Sequence, residues 1–348
     1  MPVRNEERHL AEAVRHVLGQ DYPGEFELVL AVGPSADRTE QIARDLAAAQ
    51  PRLTVVANPA GTIPAALNAA VRAARHAVIA RMDGHALMPP GYLAAAVGTL
   101  TETGAADVGG VMAAVGVTTF QQAVAWAMTS RAGVGSAAFH TGGGAGPVDS
   151  VYLGVYHREA IEQAGGWDEG MLRAEDWDLN YRIRAGGGRI WFTPDLRVTY
   201  RPRPGVRTLA AQYFHYGRWR RVIVREHPET ASFRYLAPPA AAALVTIGLV
   251  TGVAGLAALA AGAPAAPWLT AGFAIPLVYL AGVTAVAAAL ARGVPAKVRV
   301  RIPLVLAAMH MAWGAGFLTS PRGLHRKSDA RVGQADAATE NAAAAGAE

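Results

Sequence analysis

The sequence predicts an α/β domain, a mostly parallel sheet with helices on both faces, followed by a helical membrane region. Three observations carry this. In the N-terminal part, short apolar runs alternate with stretches of helical periodicity. From Tyr235 to Ala291 there is no Asp, Glu, Lys or Arg, a span that suits lipid better than water. Finally, the 348 residues include no cysteine, so neither a disulfide framework nor a thiolate metal site is available, and any metal must sit on oxygen or imidazole.

The elements follow in order. "PVRNEE" reads as the tail of a first strand that is either short or begun upstream. A helix follows Asn5, with Glu6 and Glu7 in its first turn and Leu10, Val14, Val17 and Leu18 at helical spacing. "FELVLAV" is a buried strand, and the turn "VGPSADRT" feeds a second helix near Asp37. "LTVVA", "PAALNAAVRAA" and "HAVIARMD" then read as strand, helix and strand. In such sheets the ligand crevice lies beyond the carboxyl ends of the strands. Gly142–Gly144 lack the Lys-Ser/Thr that a phosphate-binding P-loop requires, so "HTGGGAGPVDS" reads as a loop. Past "VYLGVY" and "GGWDEGMLRAEDWDLNYRIRAGGGRIWF", a long helix runs from Val206 to about Glu226.

The uncharged span divides at "AGAPAAP" into two crossings, about 237–262 and 267–291. Arg218, Arg220, Arg221, Arg225 and Arg234 precede it, and Arg292, Lys297, Arg299 and Arg301 follow. Basic flanks on one side predict a hairpin with both ends in the cytoplasm. The +5 net charge thus reports orientation and anionic lipid rather than nucleic acid, for which no aromatic-basic reading motif is present. "MPVRNEERHL" has no apolar signal region, which places the soluble domain in the cytoplasm at the inner membrane. Residues 292–327 are apolar but interrupted by Pro303, His310, Gly314 and Gly316 and flanked by basic residues at both ends. They are expected to lie in the interface or re-enter, with Trp313 and Phe317 at the head groups. The expected organisation is a catalytic domain at 1–205, a basic juxtamembrane helix at 206–234, a membrane hairpin at 235–291, the interfacial segment at 292–327 and a disordered tail at 328–348.

Three constellations carry chemistry. In Asp83-Gly84-His85, residues two apart share one side of an extended chain, so a carboxylate and an imidazole could hold a divalent cation whose shell a diphosphate completes; a solvated strand end is the other reading. In "RAEDWDLNYRIR", Glu175, Asp176 and Asp178 crowd the first turn of a helix, where they complement its dipole, and a carboxylate there could act as general base on an acceptor hydroxyl. In "QYFHYGRWRR", arginines and aromatics could bind a pyrophosphate or a lipid head group, or simply snorkel.

Taken in this order, ahead of the membrane segment, these motifs resemble the family 2 glycosyltransferases, inverting enzymes of the GT-A fold, and among them the succinoglycan-type exopolysaccharide transferases. The resemblance covers residues 2 to about 320. It implies a GT-A domain with a Rossmann-like mixed sheet, a nucleotide-diphospho-sugar donor, a lipid-linked or polysaccharide acceptor, and Mg²⁺ or Mn²⁺ as cofactor. Ser35, Asp37 and Thr39 match the family's Asp-Gly-x-Ser-x-Asp-x-Thr, with Val32 replacing the first Asp. Asp83 and His85 stand at the metal-binding Asp-x-Asp, with His in the last place. Asp176, beside Glu175, matches the catalytic base. "HYGRW" is similar to Gln-x-x-Arg-Trp with His215 at the Gln position, which gives Arg218 and Trp219, together with Asp83, donor-binding roles. A nucleotidyltransferase and a catalytically inactive membrane scaffold are the rival functions.

Overall fold

The computed structural model describes residues 1–325. The described residues form two compact units: 1–113 with 138–200 and 323–325, and 114–137 with 201–322. The sequence reading placed 114–137 inside a continuous catalytic domain; these residues instead cluster with the helical unit.

The first unit holds two sheets. β1 (Pro2–Val3), β2 (Leu28–Val32) and β3 (Leu53–Ala57) pair in parallel in the order β1-β2-β3. β4 (Val78–Ala80), β5 (Asp107–Ala114), β6 (Gly146–Pro147), β7 (Tyr152–His157) and β8 (Ile190–Tyr200) form the second, in the order β4-β7-β5-β8-β6. There β4–β7, β5–β7 and β6–β8 are antiparallel. The sheets are thus mixed, as the family resemblance implied, rather than mostly parallel, as the strand-helix rhythm alone suggested. The strand-helix rhythm holds only as far as β4, after which a returning β7 inserts beside it.

Alternation along β2 puts helices on both faces. Leu28 and Leu30 join a core with Leu10, Val14 and Val17 of the helix Leu10–Leu18, while Val29 and Ala31 meet Ala66 and Ala70 of the helix Ile63–Ala73. A third cluster, with Tyr156, Trp167, Leu179, Ile183 and Phe192, seats the helix Glu175–Ala185. Glu6 and Glu7 precede the first helix instead of opening it, because Asn5 takes a left-handed φ of 54° and a turn intervenes at the Glu6 carbonyl.

In the second unit the helices Phe233–Ala260, Ala266–Leu290 and Ala296–Leu318 are long and apolar enough to cross a membrane. The last contains an unbroken α-helix, Ile302–Leu318. The residues read as interruptions serve it instead. Pro303 lies in the first turn, where no amide partner is lost. A Cβ on Gly314 would meet the Pro238 carbonyl at 2.4 Å, and one on Gly316 the Phe214 carbonyl at 2.0 Å, so both glycines admit neighbouring backbones. Phe317 is buried under the Arg221 guanidinium and Trp313 stacks on Tyr235.

Candidate active site

At the carboxyl end of β4, Ala80 is the last paired residue, opposite Val155. The next amide, that of Arg81, still donates to the Gly154 carbonyl at 3.0 Å. Arg81 is thus fixed to the sheet, and its side chain is 6% exposed. A guanidinium held out of water needs anionic partners. Its Nη2 lies 3.3 Å from Asp83 Oδ1 and 3.3 Å from Glu175 Oε1, and its Nη1 pairs with Asp176 Oδ2.

Asp176 is held from a second side. Trp167 Nε1 donates to its Oδ1 at 3.1 Å. The indole is itself placed by Asn68, which accepts from the Trp167 amide at 2.9 Å and donates to its carbonyl at 2.8 Å, and by an edge-on contact with Tyr156. With a donor on Oδ1, an ion pair at Oδ2 and 21% of its side chain exposed, Asp176 is oriented yet reachable. Glu175 is the more enclosed of the pair, at 10%.

Three carboxylates against one buried guanidinium leave an excess of negative charge. Burial pushes Glu175 up to about 7, Arg81 opposes that rise, and the Asp176 charge adds to it. Asp107, wholly buried at the start of β5, is raised well above the ordinary carboxylate range, first by desolvation and then by Asp176. The Asn180 and Tyr156 side chains beside it oppose that rise.

Among the described residues, three that are not glycine have a left-handed backbone, and all border this region. Ala174 (φ 62°) immediately precedes Glu175, Leu153 (φ 50°) precedes the Gly154 that holds Arg81, and Asn5 (φ 54°) binds the β2 turn. Such conformations cost about 1 kcal/mol or more each and persist where surrounding contacts impose them.

Asp83-Gly84-His85 proves to be a turn, closed by a 3.0 Å bond from the Ala86 amide to the Asp83 carbonyl, and not the extended segment inferred from the sequence. The two side chains consequently find different partners: Asp83 meets Arg81, and His85 Nδ1 lies 2.8 Å from Glu6 Oε1. Ser35, Asp37 and Thr39 are likewise committed. Ser35 Oγ accepts from the Asn5 amide and donates to the Gly33 carbonyl. Thr39 Oγ1 accepts from the Glu6 amide at 2.7 Å and donates to Asp37, whose carboxyl is held below its usual range chiefly by that bond. The Glu7 amide adds a further donor to Asp37. These three residues tie the end of β1 to the end of β2.

Arg218 and Trp219 belong to the other unit, on the helix Val206–Glu226. Trp219 is buried there, and the Arg218 guanidinium lies 5.4 Å from the Phe214 ring. Arg81 and Trp167 are the site residues that sequence reasoning missed. An arginine inside the apolar run "VIARMD" was the available signal, since a charge in a buried strand end must be paired.

The mixed sheet and the carboxylate cluster beyond β4 belong to a GT-A-like α/β domain. Residues 1–165 match the family described as Glycosyl transferase family 2. The chain is 31% identical over 325 residues to the succinoglycan biosynthesis protein ExoA of Rhizobium meliloti (strain 1021), covering 91% of this chain and 92% of that one. The protein therefore belongs to glycosyltransferase family 2. Among solved structures, its fold is similar to that of the mannosyltransferase PcManGT from Pyrobaculum calidifontis in complex with GDP-Man and Mn²⁺, with a TM-score of 0.55, 22% identity, and coverage of 91% of this chain and 85% of that one.

Proposed function

We propose that the protein is a membrane-anchored inverting glycosyltransferase that moves a sugar from a nucleotide-diphospho-sugar to a lipid-linked or cell-envelope polysaccharide acceptor. The likeness to an exopolysaccharide biosynthesis protein supports this acceptor class, and the mannosyltransferase bound to GDP-Man supports this donor class. The observation that carries the reading is the posture of Asp176, gripped on both oxygens yet open to a hydroxyl.

Asp176 takes the proton of the acceptor hydroxyl. The freed oxygen attacks the anomeric carbon from the face opposite the diphosphate. The bond from that carbon to the diphosphate oxygen breaks, the nucleoside diphosphate leaves with the electron pair, and the configuration inverts. Trp167 and Arg81 keep the carboxylate aimed throughout.

Asp83 and His85 are of the donor types that a divalent cation, Mg²⁺ or Mn²⁺, takes, one carboxylate and one imidazole, but here they face Arg81 and Glu6, so they would hold it only on leaving those partners and with phosphate oxygens from the donor. Such an ion, when bound, would neutralise the leaving diphosphate. Ser35, Asp37 and Thr39 contribute to donor binding by fixing the β1–β2 rim, and Arg218 and Trp219 keep the donor-binding role that the family resemblance implies for them.

Asp176→Asn separates these roles. Transfer is expected to fall by about 10²–10⁴ through kcat, with donor binding by calorimetry unchanged. Loss of donor binding together with transfer would assign Asp176 a structural role instead.

A further inference from the structure

We propose that Arg221, Arg225 and Arg322 form a docking surface for the head-group phosphate of an anionic membrane lipid. This rests on the membrane placement in the reading above and not on the transfer chemistry. All three arginines stand at one level of the helical unit. The third apolar helix ends at Leu318, and the Arg225 guanidinium donates to two carbonyls just past that end, Nη1 to Pro321 at 2.9 Å and Nη2 to Ser320 at 2.8 Å. Arg221, about one turn earlier on the helix Val206–Glu226, holds its guanidinium 4.8 Å from the centre of the Phe317 ring, in the last turn of the same apolar helix. Arg322 follows Pro321 in the chain and is exposed. The end of an apolar helix lies where hydrocarbon gives way to lipid phosphate, whether the helix crosses the bilayer or lies along its surface.

The cluster lacks a counter-charge. Burial, and after it the like charges of Arg221 and Arg322, disfavour the charged form of Arg225, and among the described residues no carboxylate pairs with any of the three. Like charges that protein contacts hold together make a place where an anion is stabilised. Donors remain for it: each Arg225 Nη nitrogen gives one of its two N–H groups to a carbonyl, and Arg221 rests on a ring rather than on an acceptor. Guanidinium matches a phosphate bidentately. A zwitterionic lipid carries the same phosphate with a cation beside it, so the surface favours the anionic head group.

The test uses the full-length protein in detergent and two short-chain lipids with the same tails, dihexanoyl phosphatidylglycerol and dihexanoyl phosphatidylcholine, with binding read by thermophoresis. The parent is expected to bind the glycerol lipid at least about fivefold more tightly than the choline lipid. Arg322→Gln alters an exposed side chain and should weaken the glycerol lipid about fivefold, and Arg221→Gln with Arg322→Gln about twenty-fivefold, with the choline lipid unmoved. Arg322→Lys keeps the charge and should stay within about twofold of the parent. Arg207→Gln removes the same charge from the first turn of the same helix, about 21 Å from Arg221 by helical rise, and should leave both lipids unchanged. Equal binding of the two lipids by the parent overturns the proposal. So does an equal loss in Arg207→Gln and Arg322→Gln, because net charge alone then explains the binding. Displacement of the glycerol lipid by inorganic pyrophosphate at a tenth of its concentration or less would assign the surface to a free diphosphate and overturn the lipid. A parent that binds the glycerol lipid as expected but turns over no nucleotide sugar upholds this surface and overturns the transferase reading; turnover without lipid discrimination does the reverse.

Discussion

Trp167 reaches the proposed base through a single N–H. Trp167→Phe keeps an aromatic ring against Tyr156 and deletes only the donor to Asp176. The hydrogen bond is worth about 1 kcal/mol, more to a charged acceptor, so kcat should fall about tenfold with donor affinity unmoved in calorimetry. Glu175 gives a pH signature. Its folded value of about 7 stands above the model-compound value of 4.5, so the folded state holds its proton longer than the unfolded chain. The resulting cost is absent at low pH, grows as pH rises through this window and is complete above it. Glu175→Gln removes it, so the variant's melting temperature should gain on the parent between pH 5 and pH 8, by up to about 3 kcal/mol in stability; a pH-independent difference would contradict the burial argument. At this scale Asp83, Glu175 and Asp176 were legible because motif spacing marks them. Arg81 was not: its partner Glu175 lies 94 residues away, and only folding brings the two together.

The elements differ in what they disclose. The helices Val206–Glu226 and Glu175–Ala185 appear where periodicity and acidic first-turn residues put them. The β7 insertion beside β4 was invisible, since register between distant strands leaves no local mark. In the helical unit, Arg220, for which snorkelling was one of the readings, is 5% exposed with its guanidinium 3.4 Å from the Tyr235 ring centre, a cation–π contact. Glycines read as breaks are contact points. A Cβ at Gly217 would stand 2.0 Å from the Trp313 carbonyl, so Gly217→Ala and Gly316→Ala should each destabilise the unit by about 1–3 kcal/mol or more, seen as an earlier unfolding transition in detergent. Gly282, with open space around its Cβ direction, is the control, and Gly282→Ala should leave the transition where it is or raise it.

For the whole molecule, composition disclosed a membrane region, and the structure adds that three of its helices have the length for a crossing. The positive-inside bias still favours two crossings with the third helix on the cytoplasmic side. Ser320, a natural choice for a topology probe, is buried and donates to the Arg218 carbonyl, and Ser328 lies outside the described residues, so exposed Pro264 and Arg322 serve better. In this cysteine-free chain, Pro264→Cys should react with an impermeant thiol reagent in intact cells, and Arg322→Cys only after lysis. Labelling of both in intact cells means three crossings. The central claim, sugar transfer at the cluster of Arg81, Asp83 and Asp176, is tested most directly by offering purified protein a panel of nucleotide sugars with Mn²⁺ and measuring nucleoside diphosphate release. The parent should release it from at least one donor and Asp83→Ala from none; release by neither protein from any donor, or equal release by both, would contradict the account.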